Sequence, residues 1–198
     1  MRQFLVVGHD APTTPNFPLD DLPGAAGRLD LLARCVIDAL LTSHGVREDV
    51  LVRLVLGDEV TVVFDGSEVR QLHPDERSTA ARIRSALERR EDAIGHQPVE
   101  TSPGVSLVRM GLEDSLELAA REGTLVQLHQ SGAPANEADR PDNPVFVLSD
   151  HRDFTESEDE RLAATGATRV SLGPRALHAN QAITVAHNWL DTDGFRTY

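Results

Sequence analysis

Strand-like and helix-like segments alternate along this chain of 198 residues, and the alternation constrains the fold more than any other feature. Short runs of Val, Leu and Phe predict buried strands, whereas apolar residues three and four positions apart predict helices. The predicted strands are residues 4–7, 50–54, 60–64, 105–108, 124–128, 145–148 and 169–172. The predicted helices are 28–43, 78–90, 115–122, 156–164 and 174–190. The pattern predicts an α/β domain over residues 1–198, with a sheet that is mainly parallel toward the C-terminus.

Local motifs refine this outline. Asp65-Gly66 lies between apolar runs and predicts a β-hairpin. Residues 130–144 are rich in Gly, Pro, Asn and Asp and predict a loop. Thr155, followed by Glu158, predicts a capping box at the start of a helix. Pro174 follows a strand and predicts the first turn of the final helix.

The composition narrows both the source and the chemistry. The chain has 32 acidic and 19 basic residues, and every basic residue is arginine. An acidic surface without lysine indicates a halophilic archaeon, whose proteins stay hydrated and dispersed in molar salt. The absence of lysine also excludes a P-loop and a Schiff-base lysine. The single cysteine, Cys35, excludes an internal disulfide and a cysteine-cluster zinc site, and its apolar surroundings predict a core position.

No apolar run approaches the roughly 18 residues that a membrane-spanning helix needs. The N-terminal apolar run is also too short for a signal peptide. We therefore expect a soluble, cytoplasmic protein.

Three predicted strands near the C-terminus end in polar or glycine-containing loops. These are "LVQLHQSG" (125–132), "VFVLSDHRDFT" (145–155) and "RVSLGPRALHANQA" (169–182). Ligands of open α/β sheets bind outside the carboxyl ends of the strands. Small residues and exposed backbone would suit a purine with an aliphatic tail. The alternative is that these loops are ordinary turns between strands and helices.

Two long motifs carry a family resemblance. "FVLSDHRDFTESEDE" (146–160) and "SLGPRALHANQAITVAHNWLD" (171–191) resemble the SPOUT class of RNA methyltransferases. Together with "PNFPLDDLPGAAGRLDLLARCV" (15–36), they resemble the archaeal tRNA pseudouridine-54 N1-methyltransferases (the TrmY family). The likeness runs from the N-terminus to the final helix.

The resemblance implies a SPOUT-type α/β knot, in which the last helix passes through a C-terminal trefoil. It implies S-adenosylmethionine as cofactor, tRNA as substrate, no metal, and a homodimer with its active site at the subunit interface. The implied cofactor contacts are Leu128, Ser149, Leu172, Gly173, Pro174, Arg175, Ala176, Leu177 and Ala182. Ser149 stands where the family usually has glycine, and Ala182 where it often has cysteine.

The reaction that the resemblance implies requires a base and a cation. N1 of pseudouridine is an imide-like N–H that must lose its proton before it attacks the methyl group. Asp21 is the leading candidate for the proton acceptor and Asp20 the substitute, whereas Arg28 would hold a phosphate or a uracil oxygen. Both carboxylates could instead form turns. The segment also offers Asn16 and Asp30. His9 and Asp10 follow the first strand, where a loop role is favoured over a place in the cleft.

Arginines are the candidate contacts to RNA. They are Arg28 and Arg34 on one predicted helix and Arg82, Arg84, Arg89 and Arg90 on another, although the second group could be a solvated helix face. The apolar residues of the last helix predict part of a dimer interface; they are Ile183, Val185, Ala186, Trp189 and Leu190. Two other functions stay open. One is methylation of pseudouridine in ribosomal RNA, and the other is a non-catalytic factor that binds RNA or a nucleotide.

Overall fold

An eight-stranded sheet forms the centre of the computed structural model, which describes residues 1–197. A separate two-stranded ribbon consists of β2 and β3. In chain order, the strands are β1 (Arg2–Gly8), β2 (Leu41–Thr42), β3 (Gly45–Val46), β4 (Val50–Leu56), β5 (Val60–Asp65), β6 (Val99–Ser102), β7 (Val105–Val108), β8 (Thr124–Pro134), β9 (Pro144–Ser149) and β10 (Thr168–Ser171).

The strand order across the sheet is β10-β8-β9-β1-β4-β5-β7-β6. The pairs from β10 to β4 are parallel, and the remaining pairs are antiparallel. In the central register, Leu5 of β1 lies between Arg53 of β4 and Val147 of β9. The mainly parallel arrangement predicted for the C-terminal part is therefore confirmed, and it brings the carboxyl ends of β8, β9, β10 and β1 to one edge.

Helices cover both faces of the sheet. In chain order, they are α1 (Leu22–Ala25), α2 (Leu29–Leu40), α3 (Glu76–Glu88), α4 (Leu112–Glu122), α5 (Glu156–Ala164) and α6 (Ala179–Asp191). The larger apolar core packs α2, α3 and α6 against one face, and it includes the fully buried Cys35. A smaller core packs α4 and Leu162 of α5 against the other face. No helix within residues 1–197 has the length and apolarity to span a membrane.

Polar side chains of α6 are used inside the chain. The Nε2–H of His187 donates to the carbonyl of Ala39 (3.0 Å), and its Nδ1 accepts from Arg2 (3.2 Å). The ring also lies edge-on to Phe4. Burial, together with the positive charges of Arg47 and Arg2, lowers the pKa of His187 to about 4. A neutral histidine therefore joins α6 to α2 and β1.

The apolar face of α6 is also used within the chain. Ile183, Ala186 and Trp189 are fully buried against the sheet and α2. These three residues therefore have no surface left for a partner, and the prediction that part of this face lies at a dimer interface stays a prediction. Only Val185 and Leu190 remain partly accessible. The homodimer itself also stays a prediction.

Three local predictions are wrong in instructive ways. The turn at Asp65-Gly66 forms, but the next strand along the chain, β6, does not pair with β5, whose neighbours in the sheet are β4 and β7. The hairpin instead joins β4 to β5 through Gly57 and Asp58. Residues 130–134, expected in a loop, continue β8, and Ala133 and Pro134 pair with β10 after a shift of register. The final helix begins at Ala179 rather than at Pro174.

Other predictions are confirmed. Helix α5 has the predicted bounds, and Thr155 and Glu158 form the predicted capping box. β10 lies outside β8, and the chain then returns to pack α6 against α2. The trefoil knot that the resemblance implies stays a prediction.

Candidate functional site

A cleft opens at the carboxyl ends of β8, β9 and β10, where the sequence predicts a ligand site. Its walls come from three segments: the end of β8, the turn after β9, and the segment between β10 and α6. The lining residues are Leu128, His129, Gln130, Leu148, Ser149, Asp150, Arg152, Asp153, Phe154, Ser171, Leu172, Gly173, Arg175, Ala176, Leu177, Ala179 and Ala182.

The cleft brings together nearly all the residues predicted to bind the cofactor. These are Leu128, Ser149, Leu172, Gly173, Arg175, Ala176, Leu177 and Ala182. Pro174 belongs to the same segment but is not among the lining residues. A Cβ built on Gly173 would meet no atom within 4 Å, so this glycine faces open space. The predicted residues therefore form one surface, and their contacts with a cofactor stay a prediction.

The segment between β10 and α6 is held only at its ends. The Ser171 hydroxyl donates to the Gly173 carbonyl (2.9 Å), and the His178 N–H donates to the Gln181 side chain at the start of α6 (3.1 Å). Residues 173–178 between these contacts are solvent-exposed. The segment therefore presents its backbone and small side chains to the cleft.

His9 ties the cleft wall to the sheet. It follows β1, whose neighbour β9 ends at Ser149 beside Asp150. The His9 backbone N–H donates to Asp150 Oδ2 (2.8 Å), and ring nitrogen Nδ1 lies 3.0 Å from Asp150 Oδ1. The other nitrogen, Nε2, lies 3.2 Å from a carboxylate oxygen of Glu158 on α5. One histidine thus bridges the turn after β9 and the helix that follows it.

Both ring nitrogens face carboxylates, so the charged imidazolium is favoured. The hydrogen bond to Asp150 is the main cause; it outweighs burial and, together with Glu158, raises the pKa of His9 to about 9. Burial alone would raise the pKa of Asp150, but hydrogen bonds from His9 and from the Arg152 N–H (2.9 Å) hold it below its usual value. The loop role favoured for His9 is thereby refined, because this loop residue supports a wall of the cleft.

A second contact, nearer the solvent, joins the loop after β1 to the turn after β9. The Asp10 carboxylate lies 2.6 Å from Arg152 Nη2 and 3.7 Å from His151 Nε2. Arg152 and Asp10 are both substantially exposed, so this pair contributes less than the buried His9 contacts. It still occupies the guanidinium of one cleft-lining arginine.

The predicted catalytic carboxylates lie outside this cleft in a single chain. Asp21 caps α1 and accepts a hydrogen bond from the Gly24 N–H (3.1 Å), and Asp20 is exposed beside it. Asp21 therefore has the turn-forming role that is the alternative to catalysis. A catalytic role is compatible with this position and stays a prediction.

Arg28 is held in an unusual backbone conformation. Its φ of 62° is left-handed, and its Nε and Nη2 donate to the two oxygens of Asp30 (3.0 and 3.1 Å). Neither bond uses Nη1. The preceding Gly27 packs on the Asp10 backbone so closely that a Cβ would lie 1.8 Å from the Asp10 carbonyl oxygen. This glycine therefore joins the Arg28 segment to the edge of the cleft.

The buried Asp30 organises this segment. Burial alone would raise its pKa, but the guanidinium groups of Arg28 and Arg34 hold it below its usual value. Arg34 also donates to Glu76 on α3 (2.7 Å). Arg28 and Arg34, both proposed as RNA contacts, are therefore already neutralised by carboxylates within the chain.

Most of the second arginine group is also engaged. Arg90 pairs with Glu59 (2.6 Å), and Arg89 pairs with Asp92. Arg82 donates to the backbone carbonyls of Arg70 and Gln71. Within residues 1–197, Arg84 makes no ion pair. The solvated-face alternative thus fits most of this group better than a row of free cations.

The sequence does not indicate a role for the side chains of two charged residues of the cleft. Asp153 and Arg175 are exposed, line the cleft, and make no ion pair with any residue that the structure describes. No motif identifies Asp153, and the family resemblance implies Arg175 only as part of the stretch from Leu172 to Leu177. Residues 1–197 contain no cluster of three or more His, Cys, Asp or Glu placed to hold a metal ion.

Comparisons with known proteins match the whole chain. The family model described as "Putative SAM-dependent RNA methyltransferase" matches residues 1–195. The tRNA (pseudouridine(54)-N(1))-methyltransferases of Haloferax volcanii and Haloarcula marismortui are 63% and 64% identical over 198 residues, covering 100% of both chains. The Methanocella arvoryzae enzyme of the same name is 45% identical, covering 98% of this chain and 99% of its own.

The fold also resembles a solved structure. Archaeoglobus fulgidus Nep1 bound to S-adenosylhomocysteine has a TM-score of 0.64 at 13% sequence identity, covering 94% of this chain and 95% of that chain. At this identity, the likeness concerns the fold alone. It agrees with a mainly parallel sheet flanked by helices.

The His9 contacts predict a specific dependence of stability on pH. Because the folded-state pKa of about 9 lies above the unfolded value of 6.5, the stabilisation is complete below pH 6.5 and disappears as pH rises through 9. We expect His9→Gln to lower the free energy of unfolding at pH about 6 and to have little effect at pH about 10. Denaturant unfolding of both proteins measures this difference. Exposed His44→Gln is the control, and an equal loss at both pH values would contradict the charged bridge.

Proposed function

This chain belongs to the family of SAM-dependent RNA methyltransferases, and we propose that it transfers a methyl group from S-adenosylmethionine to N1 of pseudouridine 54 in tRNA. The observation that carries the proposal is full-length identity of 63% and 64% to two enzymes with this named activity. The fold adds support, because eight of the nine residues that the family resemblance implies as cofactor contacts line one cleft.

The cleft suits the proposed cofactor. Gly173, Ala176 and Ala182 leave room along one wall, and Leu128 gives an apolar surface for a purine ring. Backbone groups of residues 172–177 would read the adenine edge. When bound, S-adenosylmethionine supplies a methyl group on a sulfonium, which is already a good leaving group. Transfer to nitrogen therefore requires no metal.

The protein's own task is to remove the N1 proton and to stabilise the charge that develops on the uracil oxygens. In this proposal Asp21 accepts the proton, and Asp20 is its substitute. Arg28 faces the RNA with Nη1, the nitrogen that Asp30 leaves free. Asp153 is a rival proton acceptor, because it is an exposed carboxylate inside the cleft.

The position of these groups favours a homodimer. Asp20, Asp21 and Arg28 are outside the cleft of their own chain, so a second subunit would have to bring them to a bound nucleotide. We therefore include the homodimer in the proposal, with the active site between subunits. The cytoplasm, where tRNA is modified, is the corresponding location.

The two other functions are less well supported. The named relatives over the full chain act on tRNA rather than ribosomal RNA. A non-catalytic binding factor would not need a cleft that places a cofactor segment beside exposed charged groups. Assays of methyl transfer to tRNA and to ribosomal RNA fragments distinguish the three functions.

Gly173→Val tests the cofactor site. We expect loss of S-adenosylmethionine binding by calorimetry in a protein that remains folded, because the new side chain enters open space in the cleft. Gly45→Val is a matched control, since a Cβ at Gly45 meets only Thr42 Oγ1 at 4.0 Å and lies outside the cleft. Unchanged affinity of Gly173→Val would mean that this segment does not contact the cofactor.

The carboxylates can be separated by amide substitutions. Asp21→Asn retains a good helix cap, so we expect RNA binding to persist while single-turnover methyl transfer falls by about 100- to 10,000-fold. The substrate is a T-loop stem containing pseudouridine, with a pseudouridine-containing ribosomal RNA fragment as the comparison. A loss of this size in Asp153→Asn instead would move the base into the cleft. Full activity of Asp20→Asn, Asp21→Asn and Asp153→Asn would exclude a carboxylate base among them.

A further inference from the structure

Arg175 is a cation without a counterion at the rim of the cleft. It lies in the exposed segment between β10 and α6, and it is one of the residues that line the cleft. Among residues 1–197, it makes no ion pair and no side-chain hydrogen bond. The second arginine of the cleft differs, because Arg152 is held by Asp10 at 2.6 Å.

Among the arginines without an ion pair, Arg175 is distinguished by its place in the cleft. Most arginines of this chain, which has 32 acidic residues, are held by carboxylates at close range, although Arg70, Arg77, Arg82 and Arg84 also make no ion pair within residues 1–197. Arg34 is held by Glu76, Arg90 by Glu59, and Arg169 by Asp159. Arg175, by contrast, lines the cleft and makes no ion pair within residues 1–197, so its guanidinium donors are available to a ligand of the cleft. A guanidinium in this position favours an oxyanion that binds from outside the chain.

Charge distinguishes between the two oxyanions available. S-adenosylmethionine carries a sulfonium, an ammonium and one carboxylate, so its net charge is positive and its attraction to a guanidinium is partly cancelled. RNA carries a negative phosphate at every nucleotide, and arginine recognises phosphate through two parallel hydrogen bonds. The anionic ligand with the stronger net attraction is therefore the RNA backbone.

We infer that the side chain of Arg175 binds a backbone phosphate of the substrate RNA beside the nucleotide that enters the cleft. The backbone of the same segment serves the cofactor, so one short segment contacts both substrates through different atoms. This inference rests on the proposed function and adds the residue that holds the RNA at the cleft. It differs from the implied role of Arg175 as a cofactor contact.

The test measures RNA and cofactor affinity separately. The proteins are the full chain, Arg175→Ala, Arg175→Lys and the control Arg121→Ala, whose side chain is 76% exposed on α4 and paired with Glu117. The ligands are a pseudouridine-containing T-loop stem, titrated over a series of potassium chloride concentrations, and S-adenosylmethionine alone. Sedimentation gives the oligomeric state of each variant.

We expect Arg175→Ala to weaken RNA binding about 10-fold at the lowest salt and to reduce the slope of log affinity against log salt by about 1. Arg175→Lys should retain most of that slope because it keeps the charge. Affinity for S-adenosylmethionine should change by less than about twofold, since no cofactor contact is removed. Arg121→Ala should behave as the unchanged protein in every measurement.

Each other outcome points to a different partner. Weaker cofactor binding with unchanged RNA binding would assign Arg175 to the cofactor carboxylate and overturn the inference. Loss of a dimer in Arg175→Ala would assign it to a second subunit. If the unchanged protein methylates the RNA and Arg175→Ala binds it equally well, only this inference fails. If the unchanged protein neither binds nor methylates the RNA, the proposed function fails with it.

Discussion

The ion pair between His9 and Asp150 is the contact on which the shape of the cleft depends. Parallel pairing places the ends of β1 and β9 side by side, and the imidazolium then joins them and reaches Glu158 on α5. The pair is largely shielded from water, so it is screened by salt less than a surface pair would be. A buried charge that is fully hydrogen-bonded suits a protein whose composition indicates work in concentrated salt.

The final helix supports the cleft from the other side. His187 stays neutral and joins α6 to α2 and β1, and Asn180 donates to Asp38 on α2 (2.9 Å). With the helix held in this way, Ala179 and Ala182 at its start can line the cleft without bulky side chains. His187 and Asn180, two polar residues of α6, thus have structural partners within a single chain.

The sequence predicts the fold and the cofactor surface better than the catalytic groups. Apolar runs identify β1, β4, β5 and β7, the capping box identifies the start of α5, and parallel topology then brings the three loop ends together. The motif at 171–191 identifies the cleft segment but not the start of α6, because proline is equally compatible with an extended segment. His9 could not be assigned its role from the sequence, since its partners are more than 140 residues away. The sequence overestimates the apolar surface that α6 leaves exposed. The residues of the sheet and of α2 that cover this helix cannot be identified from the helix sequence alone.

Methyl transfer to two T-loop RNAs that differ only at position 54 tests the account most directly. One RNA carries pseudouridine and the other uridine, and labelled S-adenosylmethionine is the donor. The account predicts N1-methylpseudouridine in the first RNA and no product in the second, because uridine N1 is bonded to the ribose and has no proton to lose. Equal methylation of the uridine RNA, or none of either RNA by a protein that binds the cofactor, would contradict it.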